Sequence, residues 1–426
     1  MKRHLYILLS LTVAISACAQ GNLTPTAPPG PTMKTLDQVE ARIIVNAANA
    51  PGDTTNTLII SQPGSYYLIG NITGASGKHG ISIRANDVTL DLNGFALIGG
   101  GGGAFIGVTG TAAQTNFCIR NGTVRGWTGG GVRTDTFIST LAEKLRLSDN
   151  VGAWGLSLGN GVARDCVASG NGTGFVVGNG AMITGSSASA NTTGFIAGDR
   201  AQVSHCISTI NTGVGFDCTS YVTLIDCTAS RNFGSAGIVA LSSTTVSRCS
   251  ATRNLPSGNG IVAGPTCTIV DCTVGSNGND GITEGSGSAV RGCTTSNNQG
   301  NGIKVTSDCY VIGNTCEANN RSGFNYAGIS VSGHGNRIEA NSVTATDNPS
   351  GGFSNGYGFY VTDSQTGTPA TNNFIIRNSA RDNGTNYRID AGNRVGAILL
   401  PAGSIAISGN SGGGLGTTDP WANFVY

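Results

Sequence analysis

The sequence predicts an all-β chain that winds as a parallel β-helix, a solenoid of stacked coils. From Gly174 onward a unit recurs seven times, in which a Gly and a bulky apolar residue are followed 17 positions later by an Asn. Only the junction between that Asn and the next Gly varies in length, from two to five residues. Short bursts of alternating apolar and polar residues indicate strands with one buried face. So short a unit buries that face only by stacking on its neighbours.

Equivalent positions of the units carry the same kind of residue. The residue after the Gly is always Phe or Ile, and the residue nine positions after it is a large aliphatic. The Gly-apolar pairs begin at Gly174, Gly194, Gly215, Gly237, Gly260, Gly281 and Gly302, and the closing residues are Asn191, Asn211, Asn232, Asn254, Asn277, Asn298 and Asn319. Successive coils advance by ~4.8 Å, the spacing between paired strands.

The asparagine column predicts a ladder along the axis. An amide side chain both donates and accepts, so Asn residues one coil apart can bond to each other. Asn also tolerates the left-handed backbone conformation of turns. We expect Asn232→Ala to cost ~1–3 kcal/mol, because buried neighbours lose their partners.

This pattern resembles the right-handed parallel β-helix repeats of the pectate-lyase-like superfamily. The stretch 88–94 (Val-Thr-Leu-Asp-Leu-Asn-Gly) is similar to a first-coil motif of many secreted bacterial members, and 62–68 resembles the strand that leads into it. The resemblance covers about residues 58–410. It implies a single-stranded right-handed parallel β-helix, and it leaves activity open, because the superfamily contains lyases, hydrolases, epimerases and adhesins.

The ends of the chain predict export and capping. Residues 1–19 have a basic start, an apolar run and an Ala-x-Ala site, as in a signal peptide, while Ile15 to Cys18 also resembles a lipobox that would leave Cys18 lipidated. Residues 20–34 read as a Pro-rich linker. We expect an N-terminal cap at 35–79, β-helix coils at 80–384 and a C-terminal cap at 385–426, because an open coil end exposes strand edges.

Charge excludes some partners and the cysteines raise two alternatives. Net charge is +1 and charged residues are 11% of the chain, so no charge field attracts nucleic acid. The apolar run of the leader is too short to span a membrane, and we expect no other stretch to span one. Twelve positions after the Gly, five coils in succession carry a Cys, which favours buried thiols and leaves some disulfides as the alternative. Spacing for a metal site is absent, and no cofactor is predicted. These cysteines are Cys206, Cys227, Cys249, Cys272 and Cys293.

Four residues are candidates for catalysis. His205 and Asp226 occupy one column of adjacent coils and could form an acid–base pair. The alternative is that the column is a solvent-screened surface ladder of alternating charge. Glu284 interrupts an apolar column, where burial would raise its pKa, unless the strand simply ends there. His334 lies in a Gly-His-Gly motif similar to that of polygalacturonase-type hydrolases, but their paired aspartates are missing, which favours a repeat turn.

Two long junctions are the best candidates for ligand binding. They precede Gly328 and Gly358, which open consecutive coils, so the junctions should project side by side. Loops on a rigid solenoid commonly carry function, and flat aromatic side chains suit the faces of sugars. The alternative is that these aromatics cover the core locally. The candidate ligand-binding residues are Arg321, Phe324, Tyr326, Phe353 and Tyr357.

Taken together, these features favour an exported bacterial protein of the cell envelope or extracellular space. We expect it to bind a polysaccharide or cell-surface glycan, or to serve a structural role. The alternative is a polysaccharide lyase, glycoside hydrolase or epimerase whose catalytic residues are scattered along the sequence. Oligomeric state does not follow from the sequence.

Overall fold

Parallel strands stacked coil upon coil form the whole described structure. The computed structural model describes residues 41–110, 112–322, 324, 326–346, 356–362, 369–400 and 418–425. The chain divides into two units, residues 1–42 and 43–426. The predicted signal peptide, Cys18 and the linker fall in the first unit, outside the described residues. Every strand below belongs to the second, and the described residues contain no helix.

The strands form three parallel ladders, one strand per ladder in most coils. The first ladder is a 15-stranded sheet, and the second and third are joined as a 30-stranded sheet. Two early strands, β9 (Thr115–Arg125) and β11 (Ile138–Ser148), are long enough to belong to both the second and the third ladder.

The first ladder contains β2 (Asn56–Ile60), β5 (His79–Ile83), β8 (Ile106–Gly110), β10 (Gly130–Thr134), β12 (Trp154–Leu158), β15 (Thr173–Val177), β18 (Thr193–Ala197), β21 (Phe216–Cys218), β24 (Ala236–Ala240), β27 (Asn259–Ala263), β30 (Ile282–Glu284), β33 (Ile303–Val305), β36 (Ala327–Val331), β39 (Tyr357–Val361) and β42 (Thr385–Ile389).

The second ladder contains β1 (Ile43–Ile44), β3 (Gly64–Tyr67), β6 (Val88–Asp91), β9 (Thr115–Arg125), β11 (Ile138–Ser148), β13 (Gly161–Arg164), β16 (Met182–Thr184), β19 (Gln202–Ser204), β22 (Thr223–Ile225), β25 (Thr245–Ser247), β28 (Thr268–Val270), β31 (Ala289–Arg291), β34 (Tyr310–Ile312), β37 (Arg337–Glu339), β40 (Phe374–Ile376) and β43 (Arg394–Val395).

The third ladder contains β4 (Ile72–Thr73), β7 (Ala96–Ile98), parts of β9 and β11, β14 (Val167–Ser169), β17 (Ser187–Ser189), β20 (Ile207–Thr209), β23 (Thr228–Ser230), β26 (Ser250–Thr252), β29 (Thr273–Gly275), β32 (Thr294–Ser296), β35 (Thr315–Glu317), β38 (Ser342–Thr344), β41 (Ser379–Arg381), β45 (Asn423–Val425) and β44 (Ile398–Leu399), which pairs with β45.

Equivalent side chains form continuous files through the core, as the repeat predicted. Phe216 pairs in register with Ile238, which pairs with Ile261, and all three are fully buried. The rings of Phe175 and Phe195 stack with centroids 5.0 Å apart, and those of Phe195 and Phe216 at 4.7 Å. Burying one such side chain stabilises the fold by about 1.5–3 kcal/mol, so the interior files hold the coils together.

The predicted asparagine ladder is present, but the ladder asparagines are not the left-handed residues of the turns. In each rung the Asn amide nitrogen and backbone N–H both donate to the amide oxygen of the next Asn; for Asn232 to Asn254 these distances are 3.2 and 3.1 Å. The left-handed conformation belongs to the preceding residue instead, as at Arg231 (φ 55°) and Arg253 (φ 56°). That turn aims the following Asn inward.

Two more asparagine ladders run along the C-terminal coils. Asn314 occupies the file of the five cysteines and starts a ladder between the second and third ladders of strands. A further ladder lies between the first and second ladders of strands. The members are Asn314, Asn341, Asn378 and Asn423 in one, and Asn336, Asn373 and Asn393 in the other. Asparagine amides therefore hold two corners of the late coils, and at the third corner Thr346 takes the place of an Asn and donates its backbone N–H to the amide oxygen of Asn383.

The segments predicted as caps contribute strands to the same ladders. Within 35–79, β1 pairs with β3 and β2 pairs with β5, so coil stacking begins by Ile43. At the other end, β42 within 385–426 pairs with β39 as the last strand of the first ladder. The junctions most tolerant of length lie between the third and first ladders, next to the first-ladder face described below.

Candidate functional site

Two tyrosines and an arginine form a cluster on the outer face of the first ladder. Tyr360 and Arg388 are opposite each other in adjacent strands, and Tyr357 lies three residues before Tyr360. The two tyrosine rings are 4.6 Å apart. The Arg388 guanidinium lies 5.6 Å from the ring centre of Tyr357 and 5.5 Å from that of Tyr360. These distances are within the range of cation–π attraction.

A hydrogen bond fixes this cluster further. One Nη of Arg388 donates to the hydroxyl of Tyr357 over 3.1 Å. An arginine guanidinium is charged at any physiological pH, and this contact raises the pKa of Arg388 further. Because alternate residues of a strand face opposite sides, Tyr360 points outward between the buried residues Phe359 and Val361. The core therefore supports the cluster from below.

The same outward file continues toward the N-terminus. Ser330 pairs with Tyr360, and Lys304 pairs with Ser330. The four rungs from Lys304 to Arg388 span about 14 Å at ~4.8 Å per rung. A cationic and aromatic face thus runs along the axis of the coils.

The predicted loop residues lie beside this face, with one exception. Tyr326 is half-buried, and its backbone carbonyl accepts the Tyr357 N–H at 3.0 Å. Phe324 is 67% exposed and its ring lies edge-on to that of Tyr326 at 6.2 Å. Arg321 is exposed in the same junction. Phe353 lies outside the described residues.

His205 and Asp226 are neighbours, but Asp226 is already paired. The His205 ring nitrogen Nε2 lies 3.6 Å from the Asp226 carboxylate, which Arg248 holds through two bonds of 2.8 and 2.9 Å. Arg248 lowers the pKa of Asp226 below its ordinary value. His205, Asp226 and Arg248 all have positive φ, so this column is a turn file whose side chains point to solvent. The contacts are those of a surface charge ladder.

Glu284 is inside the coils. It is 2% exposed, and neither carboxylate oxygen has a hydrogen-bond partner among the described residues. It replaces the apolar residues Ala263 and Val305 of the coils on either side. Desolvation raises its pKa well above the ordinary value. A carboxyl sealed in this way does not reach a ligand on the surface.

His334 lies in an exposed turn, as expected of a repeat position. Its backbone N–H donates to the hydroxyl of Ser307 over 3.2 Å, and its Nδ1 lies 3.4 Å from the same oxygen. The structure brings His205 and Asp226 together and leaves Glu284 and His334 in other coils. Four catalytic candidates therefore do not form one site.

The eleven described cysteines are free thiols, and all but Cys118 are buried. In the central file each Sγ donates to the carbonyl two residues earlier, as Cys249 does to Ser247 over 3.3 Å. Contact with neighbouring thiols and burial raise the pKa of Cys227.

Among the described residues no three His, Cys, Asp or Glu side chains converge to hold a metal ion. No helix of the described part has the length and apolar character to span a bilayer.

A comparison with protein families agrees with this architecture. Residues 195–319 match the family model of a right handed beta helix region, and they lie in the most regular coils. Together with the parallel ladders, this match shows that the chain is a right-handed parallel β-helix, the fold of the pectate-lyase-like proteins. It confirms the predicted fold class.

Solved structures with similar coils share little sequence with the chain. The A-module of mannuronan C-5 epimerase AlgE6 from Azotobacter vinelandii is 12% identical with a TM-score of 0.37, covering 85% of this chain and 89% of that one. The periplasmic alginate epimerase AlgG is 13% identical with a TM-score of 0.32, covering 90% and 82%. The Dettilon tailspike protein is 15% identical with a TM-score of 0.34, covering 86% and 62%. No curated protein matches the sequence. No activity of this chain follows from these similarities.

Proposed function

We propose that the protein binds a glycan on the first-ladder face of its C-terminal coils, without itself being an enzyme. The observation that carries the proposal is the cluster of Tyr357, Tyr360 and Arg388, with Tyr326 beside it. Aromatic rings offer flat apolar faces to the C–H groups of sugars, and a tyrosine hydroxyl adds a polar group at the edge of the ring. A guanidinium adds fixed hydrogen-bond donors for ring hydroxyls or acid groups.

The packed core under the cluster holds its side chains in place before a ligand binds. Phe359, directly below the tyrosines, is fully buried and its ring stacks on that of Tyr387 at 4.9 Å. Side chains held by a packed core lose little freedom when a ligand arrives, so more of the contact energy is retained as affinity. A chain of sugars lying along the axis would also reach Lys304.

The proposal includes export to the cell envelope or the extracellular space. Its support is the leader pattern of residues 1–19 and the low charge of the chain. Mass spectrometry of the mature N-terminus separates the two modes of export. A terminus at Gln20 indicates secretion, and a diacylated Cys18 indicates a lipoprotein. An unprocessed Met1 in fractionated bacterial cells contradicts export.

A glycan array followed by affinity electrophoresis tests the binding proposal. We expect Tyr357→Ala combined with Tyr360→Ala to abolish retardation by the glycan that the wild type binds. Tyr221→Ala is the control, because Tyr221 is an exposed tyrosine that likewise lies under an arginine, with Arg200 at 5.4 Å from its ring. Undiminished retardation of the double variant refutes the site.

A second candidate function is polysaccharide cleavage or epimerisation at the His205–Asp226 pair. The observation that favours it is their contact across adjacent coils. Reducing ends, unsaturated uronates or a changed epimer ratio produced by the wild type in a polysaccharide panel, and lost in Asp226→Asn, would establish it. Release that persists in this variant rules out the pair as the catalytic site.

A further inference from the structure

A second outward surface of the late coils lies on the second ladder. Tyr310, Arg337, Phe374 and Arg394 follow one another in register, one per coil. They line a groove of about 400 Å³ together with Gly335, Asn336 and Asn372. Aromatic and cationic side chains alternate along it, so each aromatic is about 9.6 Å from the next and each arginine likewise, at two rungs of ~4.8 Å.

A glycine in the turn keeps this groove open. Gly335 adopts φ 71°, where a side chain is disfavoured, and a Cβ there would come within 2.3 Å of the Asp308 carboxylate. The adjacent position of the next coil holds the exposed Asn372, also left-handed at φ 57°. The missing side chain leaves space beside Tyr310 and Arg337.

Arg337 is held in place before any ligand binds. Its Nε donates to Glu339 over 2.7 Å, and its guanidinium lies 5.4 Å from the ring centre of Phe374. The other oxygen of Glu339 accepts from Arg377 over 3.2 Å. No described residue takes a hydrogen bond from the Nη atoms of Arg337, so its two terminal nitrogens remain to bind an anion.

The charge around the groove is positive. Three arginines stand against two carboxylates there: Arg337, Arg377 and Arg394 against Glu339 and Asp308. Glu339 is ion-paired with both Arg337 and Arg377, and Asp308 lies next to Gly335. Arg394 is exposed, and no described carboxylate lies within ion-pair distance of it. An anion entering the groove therefore meets one guanidinium held by Glu339 and one exposed guanidinium, and both belong to a file that also holds Phe374.

We propose that this groove is a separate site for an anionic glycan, whose acid groups lie two rungs apart along the axis. Arg337 and Arg394 bind the two acid groups, Phe374 packs against the sugar ring between them, and Tyr310 packs against the ring on the other side of Arg337. Arginine forms paired hydrogen bonds with carboxylate and with sulfate oxygens, so the geometry fits both kinds of acid. The site does not depend on the tyrosine cluster of the first ladder.

Binding of the full chain to four polymers tests the proposal. The probes are a polyuronate, dextran sulfate, neutral dextran and inorganic polyphosphate. We expect Arg394→Gln to weaken binding of the polyuronate or the dextran sulfate about tenfold, since a hydrogen bond to a charged group contributes that much. The polymer that responds identifies the acid group. Binding should also weaken as salt rises, because the groove is open to solvent.

Matched variants separate this site from general charge and from the first-ladder site. Arg291→Gln removes an exposed arginine of the same ladder outside the groove and should leave binding unchanged. Phe374→Leu should reduce binding while the unfolding midpoint stays near that of the wild type. Equal loss in Arg291→Gln, equal affinity for polyphosphate, or no loss in Arg394→Gln overturns the proposal. Loss in the Tyr357 and Tyr360 variants with none in Arg394→Gln retains the first-ladder site and rejects the groove.

Discussion

Replacing Asn232 with Ala removes the central rung of the longest asparagine ladder, which begins with Asn150 and Asn171 and ends at Asn319. The Asn232 amide oxygen accepts from the backbone N–H and the amide of Asn211, at 3.2 and 2.9 Å. Its amide nitrogen donates to Asn254 and to the carbonyl of Ser208, both at 3.2 Å. All of these groups are fully buried, so water cannot replace the lost partner.

The contacts that remain set the size of the effect. The Asn211 amide keeps a bond of 2.9 Å to the Ser208 hydroxyl, and Asn254 still accepts the backbone N–H of residue 232. The Asn211 backbone N–H loses its acceptor, at a cost of about 1–3 kcal/mol for an orphaned buried donor. One further net hydrogen bond adds about 1 kcal/mol, which gives about 2–4 kcal/mol in total.

Urea unfolding followed by circular dichroism measures this cost. The midpoint should fall while the slope stays constant, because the same surface is exposed on unfolding. Gln299→Ala provides the control, since it truncates an exposed amide one residue beyond the ladder residue Asn298 and should change the free energy of unfolding by less than about 0.5 kcal/mol. If Asn232→Ala unfolds at the wild-type midpoint, the ladder does not stabilise the coils.

Three other substitutions probe the interior and the surface. Glu284→Val should stabilise the chain increasingly as the pH rises above about 4.3, where glutamate ionises in the unfolded chain while burial raises its pKa in the folded one. The free energy of unfolding of the wild type should then fall relative to the variant by up to ~1.4 kcal/mol per pH unit. An identical pH dependence of the unfolding midpoint in both proteins would contradict this. Cys249→Ser should be tolerated, because Ser186 occupies the same file of the coils. A midpoint of thermal unfolding more than about 10 °C below that of the wild type would contradict this. Arg248→Gln should raise the pKa of Asp226 toward its ordinary value, measured by carbon-13 NMR titration, and an unmoved titration would show that the ion pair is absent in solution.

The sequence predicts the interior of this protein well because the interior repeats. Phe or Ile after each Gly and the Asn 17 positions later are both dictated by stacking, so each coil confirms the next. The left-handed residue before each Asn escapes such analysis, because residues as different as Ile210, Arg231 and Ser276 occupy it. The turn is imposed by the two flanking strands, and the side chain only has to point outward.

The surface was predicted in part, for a physical reason. Tyr357 and Tyr326 stood out as aromatics in long junctions, but Tyr360 and Arg388 occupy outward strand positions where any residue is allowed. Arg388 also lies beyond the last recognisable repeat. The groove residues Tyr310, Arg337, Phe374 and Arg394 lie at unequal separations in sequence, since the junctions between them differ in length. Only the register of the second ladder brings them together.

A crystal structure with an oligosaccharide of the best-retained glycan tests the central claim most directly. The claim is that equivalent positions of the late coils present a binding surface parallel to the axis. We predict sugar rings packed over Tyr357 and Tyr360 and a hydrogen bond from Arg388 to a sugar oxygen. The oligosaccharide should extend toward Lys304. A ligand bound in the early coils, or one lying across the strands away from these side chains, would contradict it.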